Sequence, residues 1–511
     1  MEDSSNSNSE PNIFKKKLAQ RRILNDLYDL EPQETGLSLE VITTGHYDDD
    51  KRIDGLNTEQ ADMVVNIGKY LKDGGTKRFF LVQGGGGTGK SYSINRALKG
   101  LNPDHIIAAA PSHFAKNVLQ DFLGKSYRVT TIASLLGKKV TYDDSGNQIL
   151  VRINKSQDPP ITKYQIILLD EGSMVNDETA TEILDYVRKG NKALIILGDY
   201  CQLPPVNQDE DSLFFEDISA ELTIPMRFKG PIFEITEVVR NEIIKIRRGL
   251  VPSLNILNLA TDRISKIDDD GSGYIFVNSL STVLKAAIRR FKKGRGTGYV
   301  RLLAYRNKTI EKLNKHIRVG LYGKSPLQFE DDELLISNGG YSVKNAVGKE
   351  KQIITNGELF KVKSAKPVIG PFDIPCVALS FKKATFEVPI LTVSTEGQAK
   401  YDQKLKILTG LAREQKHYWK DVYAFKESFA YFNYSYAASI HKAQGSSINH
   451  VFIIEDDVLA VKLTTAKEKL QSMYVAISRA SYRAYIYNKD FKVNNTKLDR
   501  EALKKDVEDE R

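Results

Sequence analysis

Short apolar runs bounded by polar residues recur along this chain, at spacings that leave room for a helix between them. Phe79–Val82, Ile106–Ala110, Ile166–Leu169 and Leu194–Leu197 read as buried strands. Continuous apolar strands alternating with helical stretches imply a parallel sheet covered on both faces, so the fold class is α/β. The pattern starts again further on. Arg301–Tyr305 is a strand and Asn307–Asn314 opens a helix. A β-rich interval with Gly and Pro punctuation covers about 345–395, an aromatic-rich helical interval covers Tyr401–Tyr436, and the α/β pattern returns from Ala437 to about Lys489. This order predicts a first domain over 51–227 and a second over 228–344 and 437–495, the latter interrupted by an insertion at 345–436. Within the first domain, residues 138–153 place β-rich flanks around Asp144-Ser145-Gly146-Asn147, the pattern of an inserted β-hairpin. Residues 1–50 read as a flexible, Ser- and Asn-rich start with a short helix around 12–30, and 496–511 as a charged tail.

One strand leads into chemistry. After Phe79–Val82 comes Gly84-Gly85-Gly86-Gly87-Thr88-Gly89-Lys90-Ser91, which fits G-x-x-x-x-G-K-[ST]. Glycines let the backbone curl around phosphate oxygens, and the helix that follows presents its positive end. Lys90 would reach the β- and γ-phosphates of ATP, and Ser91 would hold Mg²⁺. Gly84, Gly86 and Gly89 also satisfy the dinucleotide pattern G-x-G-x-x-G, which requires no Lys-Ser and expects an acid at a later strand end. Asp104 comes before its strand, so the phosphate loop is the better reading. Ile166–Leu169 then delivers Asp170 and Glu171. Asp170 would be the second metal ligand, and Glu171 would orient and deprotonate the attacking water. Gln202, in Gly198-Asp199-Tyr200-Cys201-Gln202-Leu203-Pro204-Pro205, suits a γ-phosphate sensor.

Composition narrows the class. With 511 residues, several domains are expected. Hydrophobic residues make up 41% and charged residues 27%, a globular mixture, and no apolar run reaches the ~18–20 residues of a membrane span. MEDSSNSNSE lacks the basic start and apolar stretch of a secretory signal, so a cytoplasmic setting is expected, the host's if the chain is phage-encoded. Cys201 and Cys376 alone make neither a disulfide framework nor a four-cysteine zinc site. The net charge of +9 agrees with a polyanionic partner.

Taken together, GGGGTGKS, LLDEGSM and GDYCQLPPV resemble motifs I, II and III of superfamily 1 helicases. Leu56–Gln60 resembles the adenine-reading Q motif, with Gln60 on the base. Ala110–Lys116 resembles motif Ia, and Thr131–Leu135 a TIHSL string in which Ala133 replaces His. Arg227 ends an LTxxxR string that resembles motif IV. Ala437–Gly445 (AASIHKAQG) resembles motif V and Tyr474–Ala480 motif VI, with Ser478 where Thr is usual. The QLPPV and HKAQG wording resembles the RecD-like branch, superfamily 1B, and within it the Dda-like helicases. The resemblance covers about 56–490.

It implies two RecA-like P-loop domains with ATP between them and an SH3-like β subdomain within 345–436. Lys90, Asp170, Glu171, Gln202, Arg227 and Arg479 would be catalytic. Gln60, Gly85, Gly86, Gly87, Thr88, Gly89, Lys90, Ser91 and Gly445 would bind ATP. Pro111, Ser112, His113, Lys116, Thr131, Ser439, His441 and Lys442 would hold single-stranded DNA, and Ser91 and Asp170 the Mg²⁺. The resemblance implies movement 5′ to 3′ and a role in replication or recombination, on single-stranded and partial-duplex DNA, with single-strand-binding or replisome proteins as partners. The hairpin stands where relatives carry a strand-separating pin, or is an ordinary surface hairpin. The aromatics from Tyr418 to Tyr436 pack a core or stack bases. The rival readings are a DNA-stimulated translocase that opens no duplex, a nucleic-acid-binding scaffold and a small-molecule P-loop kinase. Intact Lys90, Asp170, Glu171 and Arg479 weigh against the scaffold, and a second α/β domain weighs against the kinase.

Overall fold

Strands rich in Ile, Leu and Ala with no polar side between them can only lie where both faces are covered. The computed structural model describes residues 52–490 except 74–78, 143–147, 154–155, 206–207, 209–210, 227–229, 251–264, 294–295, 297, 345–349, 383–385, 387–388 and 463. The helix expected around 12–30, the charged tail, the turn of the hairpin and Arg227 lie outside the described residues.

The first domain has β1 (Phe80–Gly84), β2 (Ile106–Ala110), β3 (Arg128–Thr131), β4 (Lys138–Tyr142), β5 (Gln148–Arg152), β6 (Ile166–Leu169), β7 (Ala193–Gly198) and β8 (Ala220–Leu222). Six of these form one parallel sheet in the order β3-β2-β6-β7-β1-β8. Along β6, Ile167 and Leu169 face one apolar cluster while Ile166 and Leu168 face the other, all fully buried. Leu168→Ala is expected to cost about 2–5 kcal/mol, seen as a lower urea midpoint for this domain, because a filled interior relaxes poorly around a deleted side chain. A loss below about 0.5 kcal/mol would contradict that packing.

β4 and β5 pair antiparallel on their own, the hairpin expected at 138–153. Its base is fixed by an Ile153 N–H to Gly137 O bond of 2.9 Å and by a Lys138–Glu182 ion pair.

The second domain has β9 (Lys266–Ile267), β10 (Gly273–Val277) and β11 (Val300–Ala304), and later β19 (Ala437–Ser439), β20 (Ile448–Ile454) and β21 (Ala480–Tyr487). Their order is β19-β11-β20-β21-β10-β9, with only the edge strand β9 antiparallel. Between the two halves lie β12 (Leu334–Ser337), β13 (Tyr341–Lys344), β14 (Glu350–Ile354), β15 (Leu359–Ile369), β16 (Pro375–Phe381), β17 (Ile390–Val393) and β18 (Phe432–Tyr434). β17-β16-β15-β12-β18 make one antiparallel sheet.

Two boundaries therefore move. The inserted sheet begins at Leu334, ahead of the expected 345, because β12 pairs with β15 and β18 rather than with the second domain. The aromatic interval is also not helical to its end. Helices Gln398–Glu414 and Trp419–Glu427 are followed by strand β18. Most of its aromatics pack: Trp419, Phe425, Phe429, Phe432 and Tyr436 are buried, whereas Tyr431 is exposed.

Candidate functional site

The strand order brings the carboxyl ends of β1, β7 and β6 side by side, so the three segments after them converge. After β1 the backbone turns through Gly87 and Gly89, both at φ 85°, a region that favours glycine. Gly89 has a second constraint, since a Cβ there would lie 2.4 Å from the Gln60 amide nitrogen. The helix Lys90–Leu98 has no side-chain cap at its N-terminus, unlike Thr58–Lys72, capped by Asn57, or His113–Leu123, capped by Ser112. Its first N–H groups are left to an anion. The Lys90 ammonium bends back onto the carbonyls of Gly84 and Gly85.

After β6, Asp170 accepts the Glu171 N–H at 2.9 Å, and Glu171 itself sits at φ 52°, a left-handed conformation uncommon for a non-glycine residue. Burial pushes the Asp170 carboxyl up, against the Glu171 N–H and Lys90, which pull it down. Burial and the Asp170 charge push Glu171 up, against Lys90 and Arg479. Close, partly dehydrated carboxyls are what a divalent cation would relieve. Among the described residues no three His, Cys, Asp or Glu side chains gather to hold a metal by themselves. Ser91 and Asp170 would therefore need phosphate oxygens to complete a shell, which fits Mg²⁺ brought with a nucleotide.

After β7, Gln202 is buried and its Oε1 has no hydrogen-bond partner among the described residues. The segments after β1, β6 and β7 open onto one cavity of about 420 Å³, lined by the phosphate loop, Asp170, Glu171, Gln202, Gly445 and Arg479. Arg479 comes from the second domain, as the residue that caps the carboxyl end of helix Ala466–Ser478. Its guanidinium donates to Val475 O, Ser446 O and Ser478 Oγ, and a Cβ on Gly86 would lie 3.7 Å from its Nη2. Gly445, at φ 78°, brings the backbone so close that a Cβ there would be 3.6 Å from Glu171 Oε1.

Other expected residues stand off this cavity. Gln60 is buried. Its amide donates to Thr88 O at 3.0 Å and accepts the Asn57 N–H at 3.3 Å, bracing the phosphate loop from behind. Neither Gln60, Gly85 nor Thr88 lines the cavity. Thr131 is buried and its hydroxyl caps the turn Ile132–Leu135. Ser112 and Ser439 cap helices in the same way. Pro111, His113 and Lys116 are half-buried at the carboxyl end of β2, and Lys442 is exposed beyond β19 with its ammonium 3.4 Å from Asn338. Burial lowers the pKa of both His113 and His441, so near neutral pH they act as uncharged hydrogen-bonding groups.

Arg240 belongs to none of the sequence motifs described above. It lies on helix Pro231–Arg247, almost fully buried, with Nη1 3.5 Å from a Cβ on Gly85. Burial works against its charge, but Asp199 and other neighbours more than offset that and hold its pKa above the ordinary value. The signal was present: Ile235-Thr236-Glu237-Val238-Val239-Arg240 has the same T-x-x-x-R spacing as Thr223–Arg227.

Two family models match the chain, an AAA domain over residues 55–254 and a UvrD-like helicase C-terminal domain over 434–487. The ATP-dependent DNA helicase dda of Enterobacteria phage T4 is 24% identical, with 84% of this chain and 99% of that protein covered. An uncharacterized protein of Acanthamoeba polyphaga mimivirus is 22% identical at the same coverages. Among solved structures, Pif1 helicase from Candida albicans aligns with 88% of this chain and 99% of that one at 16% identity and a TM-score of 0.39.

Proposed function

We propose that this chain is an ATP-dependent DNA helicase of superfamily 1B, of the Dda-like kind. One observation carries the reading: a single cavity joins the phosphate loop, Asp170, Glu171 and Gln202 of one α/β domain to Arg479 of another. A site divided in this way is complete only when the domains meet, so hydrolysis and domain movement are one process.

Lys90 and the open N–H groups of its helix hold the phosphates, and Ser91 with Asp170 holds Mg²⁺, which when bound offsets phosphate charge. Glu171 takes the proton of the attacking water, and Gln202 Oε1, unpartnered among the described residues, fixes that water's orientation. Arg479 stabilises the charge on the transferring phosphoryl with its planar fork. Arg227 is the second catalytic arginine, as its motif IV string implies, and Arg240, beside Gly85 but off the cavity lining, adds positive charge behind the phosphate loop.

The DNA strand lies across the carboxyl ends of β2 and β19, held at Pro111, Ser112, His113 and Lys116 on one domain and at Ser439, His441 and Lys442 on the other, while Thr131 shapes the adjoining turn from beneath. Such contacts meet phosphates and carry no sequence information. Alternate closing and opening passes the strand between domains, 5′ to 3′, and the β4–β5 hairpin splits the duplex ahead. Replication or recombination is the setting, with single-strand-binding proteins at hand.

The reading is tested by measuring ATP turnover with and without oligo(dT); strong stimulation supports it and equal rates contradict it. Lys116→Ala and Lys442→Ala are each expected to weaken oligo(dT) binding alike across sequences. Each should flatten the slope of log affinity against log salt by about 0.7, the release of one counterion from a single strand. Unchanged slopes in a fluorescence titration would remove those two residues from the path.

A further inference from the structure

We propose that the Tyr474 hydroxyl is the positioning group that ties the second domain to the phosphate loop. Asp199 is wholly buried just ahead of Gln202. Its Oδ1 accepts from Gln83 Nε2 at 3.2 Å and from the Cys201 N–H at 3.0 Å, and its Oδ2 accepts the Tyr474 hydroxyl at 2.7 Å. The same hydroxyl accepts the Gly86 N–H at 3.3 Å. One side chain of the second domain thus holds an amide of the phosphate loop and the acid that fixes the Gln202 segment. Gly85 serves this contact as well as the curl of the loop, because a Cβ there would stand 3.1 Å from the hydroxyl.

The helix that carries Tyr474, Ala466–Ser478, is attached at further points. Gln471 donates to Tyr200 O at 3.1 Å, and Lys467 pairs with Asp211 at 2.7 Å. Near its start Glu468 accepts the Tyr305 hydroxyl, and the Tyr305 ring meets the His441 ring edge-on at 5.4 Å. Glu468 and Tyr474 are roughly 9 Å apart along the helix axis. One rigid helix therefore connects a strand-facing histidine to the phosphate loop, and a shift at either end moves the other. Tyr474 transmits strand binding to the nucleotide site through this helix. This rests on the helicase reading, in which strand binding stimulates hydrolysis.

Tyr474→Phe keeps the buried ring and removes both hydrogen bonds. DNA-stimulated kcat is expected to fall about tenfold, the scale of one hydrogen bond to a charged group. KM for ATP should stay within about threefold, and the ratio of stimulated to unstimulated turnover should fall toward one. Asp199→Asn combined with Tyr474→Phe should lose little more than the worse single variant, since both break one link. Tyr305→Phe, at the far end and outside the nucleotide cavity, should also lower the ratio, and it carries the test if Tyr474→Phe fails to fold. A wild-type ratio in Tyr474→Phe or in Tyr305→Phe, or additive losses in the double variant, would overturn the proposal. A wild-type protein that oligo(dT) does not stimulate would overturn the helicase reading itself, a different result.

Discussion

Lys90→Ala is expected to lower ATP turnover by at least about 10²–10³, the cost of removing one preorganised charge from a reacting phosphoryl group. The effect has two sources. Lys90 is the cation at the mouth of the phosphate loop, folded onto the Gly84 and Gly85 carbonyls. It is also one of the groups that holds down the pKa values of Asp170 and Glu171. Without it both carboxyls move further up, so at neutral pH a larger fraction of Glu171 carries the proton it must be free to accept. Nucleotide affinity should fall with kcat, while the thermal unfolding midpoint stays near that of the wild type, because the side chain is only part-buried. Steady-state kinetics in the presence of oligo(dT) checks this, and turnover within threefold of wild type would remove Lys90 from the chemistry.

Arg479→Ala is expected to lower kcat by about 10³–10⁵ with a much smaller change in KM, the pattern of a contact made chiefly in the transition state. The side chain belongs to the second domain and is held by Val475 O, Ser446 O and Ser478 Oγ. It is therefore aimed before any nucleotide arrives. Arg479→Lys should rescue little, since an ammonium cannot reproduce three bonds from a planar fork while facing Gly86. Binding of a fluorescent ADP analogue should change little in either variant. Near-wild-type kcat in Arg479→Ala would mean that the second domain supplies no group to the reaction.

The parts of the site that sequence made legible were those where local pattern and chemistry coincide. Ile166–Leu169 is fully buried and delivers Asp170 and Glu171 within two residues, so strand and acids announce each other. The glycines from 84 to 89 mark a loop whose φ values demand them at Gly87 and Gly89. What was missed depends on distant pairing. Leu334–Ser337 alternates buried and half-buried positions, and nothing local assigns it to the inserted sheet. Its partners are β15 and, about a hundred residues on, β18. Arg240 has no local signal beyond a T-x-x-x-R spacing that Thr223–Arg227 shares, and only the packing of helix Pro231–Arg247 against helix Ala466–Ser478 places it beside Gly85. Thr131 illustrates a further limit: a hydroxyl at the end of a strand suits a phosphate contact, but here it caps the next turn and is buried. Gln60 similarly has a bracing task that its motif does not reveal.

The most direct measurement is ATP-dependent strand separation on two partial duplexes, one with a 5′ single-stranded tail and one with a 3′ tail, with Lys90→Ala as the control. Opening of the 5′-tailed duplex alone, lost in the variant, is the expected result. Opening from the 3′ tail alone would keep the motor and refute the branch and the direction. Robust DNA-stimulated hydrolysis with neither duplex opened would contradict strand separation and leave a translocase.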